Sequence, residues 1–401
     1  MTDAQDALFS AEMLANPYPT YHGMRAADPV CWEPMLNGWA CTAYEDVVHC
    51  LSHPDLSVER VGRMPGWVES ASQDLSPLIR TLESMMLFAD GTRHQRLRGL
   101  VSKAFTPRAV ERMQAHIQDI VDRHLDALDG KSQMDVIADL ANPLPTTVIA
   151  EMLGVPVDDR AAFKRWSDDF AMVFANVTTT DAENARVMES VADMTRYFRP
   201  LVEQLRDDPQ DNLLSGFALA ELDGDRLTTE ELFANVILIL VAGHETTTNL
   251  IGNGTWAFLQ HPEQLRAVQD DPELLHSAID ELLRYDSPVQ FTARLATKDI
   301  QLRDHVVHEG QTTILILGAA NRDPNVFAEP DSLDIRRAHN RHLAFGHGHH
   351  FCLGAVLARM EGQAAFSSLL KRYPGLRLAD APPRYRPNFN LRGLESLIVA
   401  I

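Results

Sequence analysis

The stretch AFGHGHHFCLG, residues 344–354, concentrates side chains that bind transition metals. His347, His349, His350 and Cys352 lie within six consecutive positions. Zinc binds such side chains, but a structural zinc site needs four ligands arranged as a tetrahedron. One tight loop could hardly bring all four onto a single ion, and the sequence offers no second ligand cluster to complete a site. The remaining alternatives are an ordinary loop and a site that uses the cysteine alone.

The residues around Cys352 favour a site that uses the cysteine alone. Glycines at positions 346, 348 and 354 permit tight turns and a close approach of the backbone to a flat partner. Residues 353–373 have the pattern of an amphipathic helix, so Cys352 lies at a helix N-terminus, where the helix dipole favours a thiolate. A thiolate in this position suits haem iron, because it donates electron density that favours O–O cleavage.

A second stretch, AGHETT at residues 242–247, places Glu245 and Thr246 in the middle of a long apolar segment. Polar side chains are unfavourable there unless they form hydrogen bonds or take part in chemistry. A helix bulge that is satisfied by side-chain hydrogen bonds would explain the pair without any catalytic role. These two residues therefore do not decide between the alternatives.

Two further pairs have the spacing of neighbours on a helix face. His94 and Arg98 are four residues apart, and a solvated basic face is their simpler explanation. Glu281 and Arg284 are three residues apart. This second spacing is not specific, because it recurs at Glu183/Arg186, Glu203/Arg206 and Glu263/Arg266.

Taken together and in this order, the motifs resemble the cytochrome P-450 family. Phe345, Gly346, Gly348, Cys352 and Gly354 match every fixed position of its haem-ligand signature, F-G-x-G-x-x-x-C-x-G. The resemblance extends over residues 16–397. It implies a mainly α-helical fold with small peripheral β-sheets, triangular in outline and with a long central helix over the haem. We expect one domain, residues 1–401.

The resemblance also implies roles for the chemical motifs. Cys352 would be the axial ligand of haem iron. Thr246 and Glu245 would be catalytic, the first through a hydrogen bond to bound oxygen and the second by relaying protons from solvent. The other residues implied to bind haem are His94, Arg98, Ala242, Gly243, Arg294, Ala344, Phe345, Gly346, His350 and Gly354.

Structural roles follow for the weaker motifs. Glu281 and Arg284 would form a buried pair, joined by Arg337 or alternatively by Arg336. His347 and His349 fall at variable positions of the signature. The family usually has prolines near positions 91–92, where this chain has glycine and threonine.

The implied reaction inserts one oxygen atom from O₂ into a C–H or C=C bond. Because no charged residue stands out among the implied pocket positions, we expect an apolar substrate of moderate to large size, such as a polyketide, terpenoid or steroid-like compound of secondary metabolism. The alternatives are a hydroxylase of fatty acids or small xenobiotics, a non-catalytic haem-thiolate sensor or carrier, and a zinc-dependent hydrolase. The implied pocket residues are Met86, Leu238, Val241, Val289, Gln290, Phe291, Thr292 and Leu391, together with parts of residues 60–86 and with Asn390.

Electrons would come from NAD(P)H through a separate ferredoxin and ferredoxin reductase. The sequence contains no G-x-G-x-x-G stretch for a flavin or nucleotide, and no residues remain for a fused reductase. An acidic ferredoxin would dock on the Cys352 side, where complementary charge raises association rates. The basic residues expected on that face are Arg93, Arg96, Lys103, Arg108 and Arg359.

Composition limits the other partners and the location of the 401-residue chain. The formal net charge of −20 argues against nucleic acids and anionic membrane surfaces as main partners, because both require basic patches. The longest apolar run, residues 236–243, is far shorter than the ~20 residues that span a bilayer. The N-terminal residues show no signal-peptide pattern. We expect a monomeric cytoplasmic protein.

The elements that must position these residues are mostly helices. Apolar periodicity predicts helices over 106–128, 158–177 and 185–208. Thr228 and Glu231 have capping-box spacing at the start of a helix of about 32 residues that ends before Pro262. Hairpins are predicted over 30–44, around Asn37-Gly38, and over 300–317, and the C-terminal residues can add further strands.

Overall fold

The structure is a computed structural model that describes residues 10–63, 74–175, 180–379 and 382–401. Helices predominate, and the mainly α-helical fold with small sheets is confirmed. The described α-helices are α1 (Ala11–Ala15), α2 (Tyr18–Ala27), α3 (Tyr44–Ser52), α4 (Ser76–Glu83), α5 (Gly91–Ala104), α6 (Pro107–Arg112), α7 (Gln114–Asp126), α8 (Pro143–Met152), α9 (Arg160–Ala175), α10 (Asp181–Asp207), α11 (Leu213–Leu219), α12 (Thr229–Gln260), α13 (Pro262–Asp270), α14 (Leu275–Tyr285), α15 (Leu317–Ala320) and α16 (Ala355–Arg372).

The strands are short and form small sheets. They are β1 (Val30–Glu33), β2 (Gly38–Cys41), β3 (Leu56–Ser57), β4 (Gln133–Asp135), β5 (Glu221–Leu222), β6 (Asp225–Arg226), β7 (Phe291–Ala296), β8 (Ile300–Leu302), β9 (His305–Val307), β10 (Thr312–Ile316), β11 (Arg377–Leu378) and β12 (Ile398–Ala400). The largest sheet has the order β1-β2-β10-β7-β3.

The chain divides into two compact units. Unit 1 comprises Met1–Leu56, Gln114–Pro145 and Glu245–Ile401, and unit 2 comprises Ser57–Met113 and Thr146–His244. Unit 1 contains the five-stranded sheet, the three-stranded sheet β11-β12-β4 and helices such as α14 and α16. The described residues of unit 2 are mostly helical and include the small β5-β6 hairpin. That one domain covers the whole chain stays a prediction.

The long helix α12 has the expected length and start. Its 32 residues begin after a capping box in which the Glu231 N–H donates to Thr228 Oγ1 at 3.2 Å and the Thr228 N–H donates to Glu231 Oε2 at 3.0 Å. Pro262 begins the next helix. Most of the helix interior is buried, as expected for a segment that is apolar on all sides.

Two of the predicted helices have different bounds. The single helix predicted over 106–128 is two helices, α6 and α7, because the Met113 N–H bonds to Val110 O in a tight turn that ends α6. Helix α10 begins four residues before the predicted start. Thr180 caps it, since the Glu183 N–H donates to the threonine hydroxyl and the Glu183 carboxylate accepts the Thr180 N–H.

The predicted N-terminal hairpin is confirmed, although its turn differs. Strands β1 and β2 pair antiparallel from Val30↔Cys41 to Glu33↔Gly38, so four residues form the loop instead of two. Asn37 takes a left-handed conformation with φ 46°. Gly38 is the first residue of β2, where a Cβ would lie 2.8 Å from the Thr312 carbonyl oxygen. Glycine therefore permits the parallel pairing of β2 with β10.

The segment 300–317 contributes to two sheets. Strands β8 and β9 form a separate hairpin, whereas β10 pairs with β2 and β7 in the largest sheet. The C-terminal strand β12 lies between β11 and β4, as the sequence allowed. Within the described ranges, no helix combines the length and the apolar content needed to cross a membrane.

Candidate functional site

Cys352 lies in a short loop of unit 1 whose backbone requires glycine at two positions. Gly346 and Gly348 both have φ +72°, a conformation that other residues rarely adopt. The Gly346 N–H donates to Leu343 O at 2.8 Å, and the Cys352 N–H donates to Phe345 O at 2.9 Å. Residues 345–352 are thus closed into a tight loop.

The loop is anchored on both sides. Before it, the N–H of the buried Leu343 donates to Asn321 Oδ1 at 2.6 Å. After it, Gly354 is the N-cap residue of α16, and a Cβ at this position would lie 4.0 Å from Cys352 Sγ. Cys352 therefore precedes the first turn of an 18-residue helix, as predicted.

The side chains of this loop differ in exposure. Cys352 is exposed and is not in a disulfide, His347 and His349 are exposed, and His350 is half-buried. In the part of the chain that the structure describes, no group of three or more His, Cys, Asp or Glu side chains is arranged to hold a metal ion.

Phe345 is held by a charged cluster. Arg359 of α16 lies over its ring at 4.6 Å from the centroid, and the His342 ring lies 5.7 Å away. Asp280 of α14 accepts from Arg359 Nε at 2.8 Å and lies 3.3 Å from His342 Nε2. Burial would raise the pKa of Asp280, but these hydrogen bonds outweigh it and hold the pKa of the carboxyl below its usual range.

Arg294 of β7 is buried in unit 1. Its Nη1 donates to Thr292 Oγ1 at 3.1 Å and to Ala293 O at 2.9 Å. Residues 292 and 294 share one face of the strand because side chains alternate. The structure thus places a buried cation and a hydroxyl on the same face of β7.

Glu281 and Arg284 form a fully buried pair. Arg284 Nε and Nη2 donate to the two carboxylate oxygens at 2.8 and 2.7 Å. Arg337 Nε lies 3.1 Å from both oxygens, whereas Arg336 is exposed. Two more donors complete the shell, the Asp334 N–H at 2.9 Å and Asn340 Nδ2 at 3.1 Å.

The other three pairs with the same spacing lack this environment. Glu203, Arg206, Glu263 and Arg266 are exposed. Arg186 is exposed and contacts Asp169 at 3.5 Å. Burial therefore distinguishes the Glu281 pair, although spacing alone did not.

In unit 1, helix α12 carries Glu245 and Thr246. Glu245 is buried and accepts a hydrogen bond from Arg386 Nη1 at 2.7 Å. Thr246 is half-buried, and Ala242, one turn before it, is exposed. Ala242 and Thr246 lie on one strip of α12 beside the half-buried Gly243, and the other residues from 241 to 250 are buried.

Gly243 has a packing reason that differs from the expected close approach to a flat ring. In unit 2, a Cβ on Gly243 would lie 3.0 Å from Ile149 Cδ1 of α8. The missing side chain thus allows α12 and α8 to pack closely. That this glycine also lets α12 pass close to a haem stays a prediction.

In unit 2, His94 and Arg98 lie on α5, four residues apart. His94 is only 4% exposed, so a solvated basic face does not describe it, and Arg98 is half-buried. Gly91, where the family usually has proline, begins the helix with φ +53°. The pocket candidates of this unit are Met86, Leu238 and Val241, all of them buried.

The basic residues expected to meet a ferredoxin have internal partners. Arg96 contacts Glu231 and, at 3.3 Å, Asp225. Arg93 lies 3.6 Å from Glu59, and Lys103 donates to the Glu221 carbonyl. Arg359 pairs with Asp280 as described above, and the side chain of Arg108 lies outside the description. Four of these five residues thus have partners within the chain, and their contact with an acidic ferredoxin stays a prediction.

Among the pocket candidates of unit 1, Gln290 is enclosed by the fold. Its Nε2 donates to Ser287 O at 2.7 Å and its Oε1 accepts from Tyr21 at 3.1 Å. A Cβ on Gly318 would lie 2.5 Å from Oε1, so the amide is tightly enclosed. Gln290 therefore supports the fold, and its place in the pocket stays a prediction.

The remaining pocket candidates of unit 1 are apolar or hydroxyl-bearing, apart from the amide of Asn390. Val289 pairs with Leu391 in an antiparallel bridge. The Phe291 ring stacks on Phe389 at 5.3 Å, and Val289, Phe291 and Thr292 are all half-buried. Asn390 Oδ1 accepts the Phe291 N–H at 3.4 Å. Of the segment 60–86, parts of which are implied to line the pocket, residues 64–73 lie outside the described residues.

Sequence reasoning missed three polar residues beside Glu245. Asn249 and Asn253 follow it at intervals of four residues on α12, and Arg386 contacts it from the C-terminal segment. The regular spacing of Glu245, Asn249 and Asn253 in an apolar helix was a usable signal. Arg386 gave none, because it is 141 residues away in the chain.

Comparisons with known proteins identify the family of this chain. The sequence profile of the family described as Cytochrome P450 matches residues 68–388. The biotin biosynthesis cytochrome P450 of Bacillus subtilis (strain 168) is 42% identical over 97% of this chain and 97% of the relative, and the polyketide biosynthesis cytochrome P450 PksS of the same organism is 38% identical over 90% and 89%.

A solved structure is similar over nearly its full length. The crystal structure of P450BioI in complex with hexadec-9Z-enoic acid ligated acyl carrier protein has a TM-score of 0.91 and 41% identity, and the match covers 98% of this chain and 100% of that one. The chain therefore belongs to the cytochrome P450 family of monooxygenases, which use haem b, O₂ and electrons that redox partners deliver from NAD(P)H.

Proposed function

We propose that this chain is a haem-thiolate monooxygenase that oxidises a C–H or C=C bond of an apolar, moderate-to-large substrate. The observation that carries the proposal is the Cys352 loop: two glycines with φ +72° close a turn that ends in a cysteine before the first turn of α16. A thiolate is stabilised at such a helix end.

The residues of this structure fit a haem. The loop offers one exposed cysteine beside an aromatic ring, and β7 offers a buried cation, Arg294. We assign Cys352 as the ligand of the iron. Support of the porphyrin ring is assigned to Ala344, Phe345, Gly346 and Gly354. Bound haem would supply the activation of O₂. The cations assigned to its carboxylates are Arg294, His350, His94 and Arg98.

Two residues of the chain, Thr246 and Glu245, would bind and transfer protons. Thr246 has a hydroxyl on the strip of α12 that is not buried, so it could hold a proton next to a bound reactant. The carboxylate of Glu245 accepts a hydrogen bond from Arg386. Glu245 would take protons from water and pass them toward Thr246. Replacing Thr246 with alanine is expected to separate NAD(P)H consumption from product formation, and unchanged coupling would contradict this role.

The substrate class rests on the half-buried apolar residues of unit 1 and on the relatives. Val289 and Phe291 expose apolar surface, and Leu391 lies beside Val289. The relative PksS is named for polyketide biosynthesis, which favours a polyketide or a compound of similar size and polarity. A terpenoid or steroid-like compound would suit the same surface.

A fatty acyl chain is the second candidate. The similar solved structure contains hexadec-9Z-enoic acid attached to acyl carrier protein. A carrier-bound acyl chain would present the same apolar surface to Val289 and Phe291. The two candidates differ in whether a carrier protein must be present.

The first experiment is the absorption spectrum of the reduced protein with CO. Haem bound through a thiolate is expected to give a strongly red-shifted Soret band. Cys352→Ser should lose that band, while His349→Ala, which changes an exposed residue of the same loop, should keep it. A wild-type protein without the band, and with zinc in elemental analysis, would refute the proposal.

The second experiment is a spectral-shift screen for compounds that enter the site. The library should contain polyketide macrolides, steroids, terpenoids, free hexadec-9-enoic acid and the same acid on acyl carrier protein. Shifts with the macrolides, steroids or terpenoids would support the first candidate. A shift with the carrier-bound acid alone would support the second.

We further propose a separate ferredoxin and reductase as electron donors, with a cytoplasmic location and a monomeric chain. Since Arg93, Arg96, Lys103 and Arg359 have internal partners, only part of their charge is available to an acidic protein. Reduction rates measured against salt concentration test the charge contribution. Rates independent of salt, and equal in Arg96→Ala, would remove these residues from the docking surface.

A further inference from the structure

Asn235 is a polar residue in the most apolar part of α12. It stands in the run FANVILILV, residues 233–241, and it is completely buried in unit 2. Asparagine is a weak helix former, and a buried amide is unfavourable unless its donors and its acceptor are bonded. A specific partner for this side chain is therefore expected.

The amide of Asn235 binds the backbone of a segment that is distant in the chain. Its Oδ1 accepts the N–H of Met86, 149 residues earlier, at 2.9 Å. Its Nδ2 donates to Ser84 O at 3.2 Å and to Glu231 O, one turn earlier on α12, at 2.7 Å. One side chain thus joins α12 to the segment 84–86.

The segment 84–86 connects two helical elements of unit 2. Helix α4 ends at Glu83, and a tight turn, Met86–Phe88, follows. A buried backbone N–H needs a hydrogen-bond acceptor, and the Asn235 amide supplies it to Met86 while it also binds Ser84 O. Removing the amide would leave the Met86 N–H without this acceptor, so the segment would lose its position on α12.

The segment and the turn that follows it bury apolar side chains. Met85, Met86 and Phe88 are 0%, 8% and 2% exposed. Leu87, between them, is 37% exposed. Three apolar side chains are therefore covered, and Asn235 fixes the backbone of the one that is a pocket candidate, Met86.

Asn235 also stands on a face of α12 that reaches the open part of the helix in unit 2. Ala242 is exposed and follows Asn235 by seven residues, which is two turns, so the two positions lie one above the other about 10 Å apart. Leu238, another pocket candidate, lies between them along the helix. The segment 84–86 therefore covers α12 two turns before the exposed Ala242.

We propose that Asn235 fixes Met86 as an end wall of the substrate pocket, and that this wall limits how far a substrate extends along α12. The proposal rests on the proposed function, because Met86 meets a substrate only if the chain is such a monooxygenase. Asn235 is a positioning residue, since its amide is occupied by backbone groups. A compact ring system fits the roughly 10 Å beside α12, whereas a long extended acyl chain meets the wall.

The deciding experiment measures the binding of N-alkylimidazoles to the haem-loaded protein. The free ring nitrogen coordinates the iron and shifts the Soret band, so the dissociation constant of each probe is read from the spectrum without turnover. N-butyl-, N-octyl- and N-dodecylimidazole differ only in chain length. In the wild type, affinity is expected to rise from butyl to octyl, as more apolar surface is buried, and to fall at dodecyl, where the chain meets the wall.

Asn235→Ala is expected to bind N-dodecylimidazole about tenfold more tightly than the wild type, with unchanged affinity for N-butylimidazole. Met86→Ala should have the same effect, and Met86→Phe should move the loss of affinity to the octyl probe. The double variant should gain no more than either single alanine variant, because both changes remove one wall. A wild-type affinity that still rises at dodecyl, or the same chain-length dependence in wild type and both alanine variants, would overturn the proposal.

A crystal structure of the haem-loaded wild type with N-octylimidazole tests the wall even if Asn235→Ala fails to fold. The end of the alkyl chain should contact Met86, whose N–H should remain bonded to Asn235. A chain that runs past Met86 without contact, or a Met86 N–H that has left Asn235, would overturn the proposal.

Asn212→Ala is the matched control. Asn212 Oδ1 accepts the Ser215 N–H at 2.8 Å at the start of α11, so the same substitution removes a similar hydrogen bond elsewhere in unit 2. Its affinities should equal those of the wild type, and a gain for N-dodecylimidazole as large as in Asn235→Ala would contradict the proposal. A missing CO band would refute the proposed function, whereas a normal band with unchanged chain-length dependence would refute this inference alone.

Discussion

Glu281 and Glu245 are two buried carboxylates of the same unit, and their environments differ sharply. Glu281 accepts hydrogen bonds from Arg284, Arg337, Asn340 and a backbone N–H, and both it and Arg284 are fully buried. Glu245 is held by Arg386, whose side chain is 27% exposed, and its neighbours on α12 have unpartnered amide atoms among the described residues.

The difference separates a structural acid from one suited to chemistry. A carboxylate with a complete set of fixed donors can neither move nor accept a proton without breaking several hydrogen bonds. A carboxylate held by one partly exposed arginine can do both. The number and exposure of the partners thus indicate the role, although both acids occupy helices.

The largest effect on stability is expected for Glu281→Gln. The change leaves Arg284 as a buried cation without its carboxylate, which costs about 3–5 kcal/mol. Urea unfolding should show this loss. Glu263→Gln, with the same spacing to an arginine but an exposed side chain, is the control and should stay within about 0.5 kcal/mol of the wild type. Equal losses of stability in the two variants would show that burial does not distinguish Glu281 from Glu263.

A smaller loss of folding stability is expected for Arg337→Ala. Its Nε contacts both oxygens of Glu281, and Arg284 would still hold the carboxylate, so the loss should be about 2 kcal/mol. Arg336→Ala changes the exposed neighbour and should have little effect. If the two alanine variants unfold at the same urea concentration, Arg337 does not belong to the cluster.

Glu245→Gln should affect stability less and activity more. Because Arg386 can turn toward solvent, the loss of stability should be about 1 kcal/mol or less. Turnover should fall by ~10²-fold if Glu245 transfers protons. Unfolding and turnover measured on one preparation distinguish the two effects. A stability loss as large as that of Glu281→Gln would show that Glu245 is structural.

The smallest effect concerns Asp280, which pairs with Arg359 and His342 beside Phe345. Its pKa is lowered in the folded protein, so the stability that it contributes is complete above its unfolded pKa of about 3.9 and is lost as pH falls through the lower folded value. Asp280→Asn should therefore flatten the acid side of a stability profile measured from pH 2 to 6.

Asp270→Asn, an exposed carboxylate of α13, is the control for that profile. It should leave the acid side unchanged. If Asp270→Asn flattens the profile as much as Asp280→Asn, the hydrogen bonds to Arg359 and His342 do not cause the shift.

The features that could be predicted from sequence depend on residues close together in the chain. The glycine turns and the helix that follows Cys352 lie within a few residues of one another. The capping box of α12 uses residues three apart, and the N-terminal hairpin joins neighbouring segments. Backbone sterics and helix periodicity act over these short distances, so residue type and spacing are enough.

Sequence reasoning did not reveal contacts between residues that are distant in the chain. Gln290 lies in a segment assigned to the pocket, but Tyr21, 269 residues away, binds its amide. Gly243 faces Ile149 of another helix. The basic residues counted for a partner are engaged by acids such as Glu231, 135 residues from Arg96. The spacing of nearby residues does not show which side chain from a distant part of the sequence will contact them in the folded protein.

The sequence by itself determined the family, the cysteine loop and the position of the acid and alcohol on a long helix. Only the tertiary structure decided that the Asp334 N–H and Asn340 also donate to Glu281, and that Arg386 holds Glu245. The physical reason is that burial and ion pairing depend on which segments pack together, and packing brings together residues that no local pattern relates.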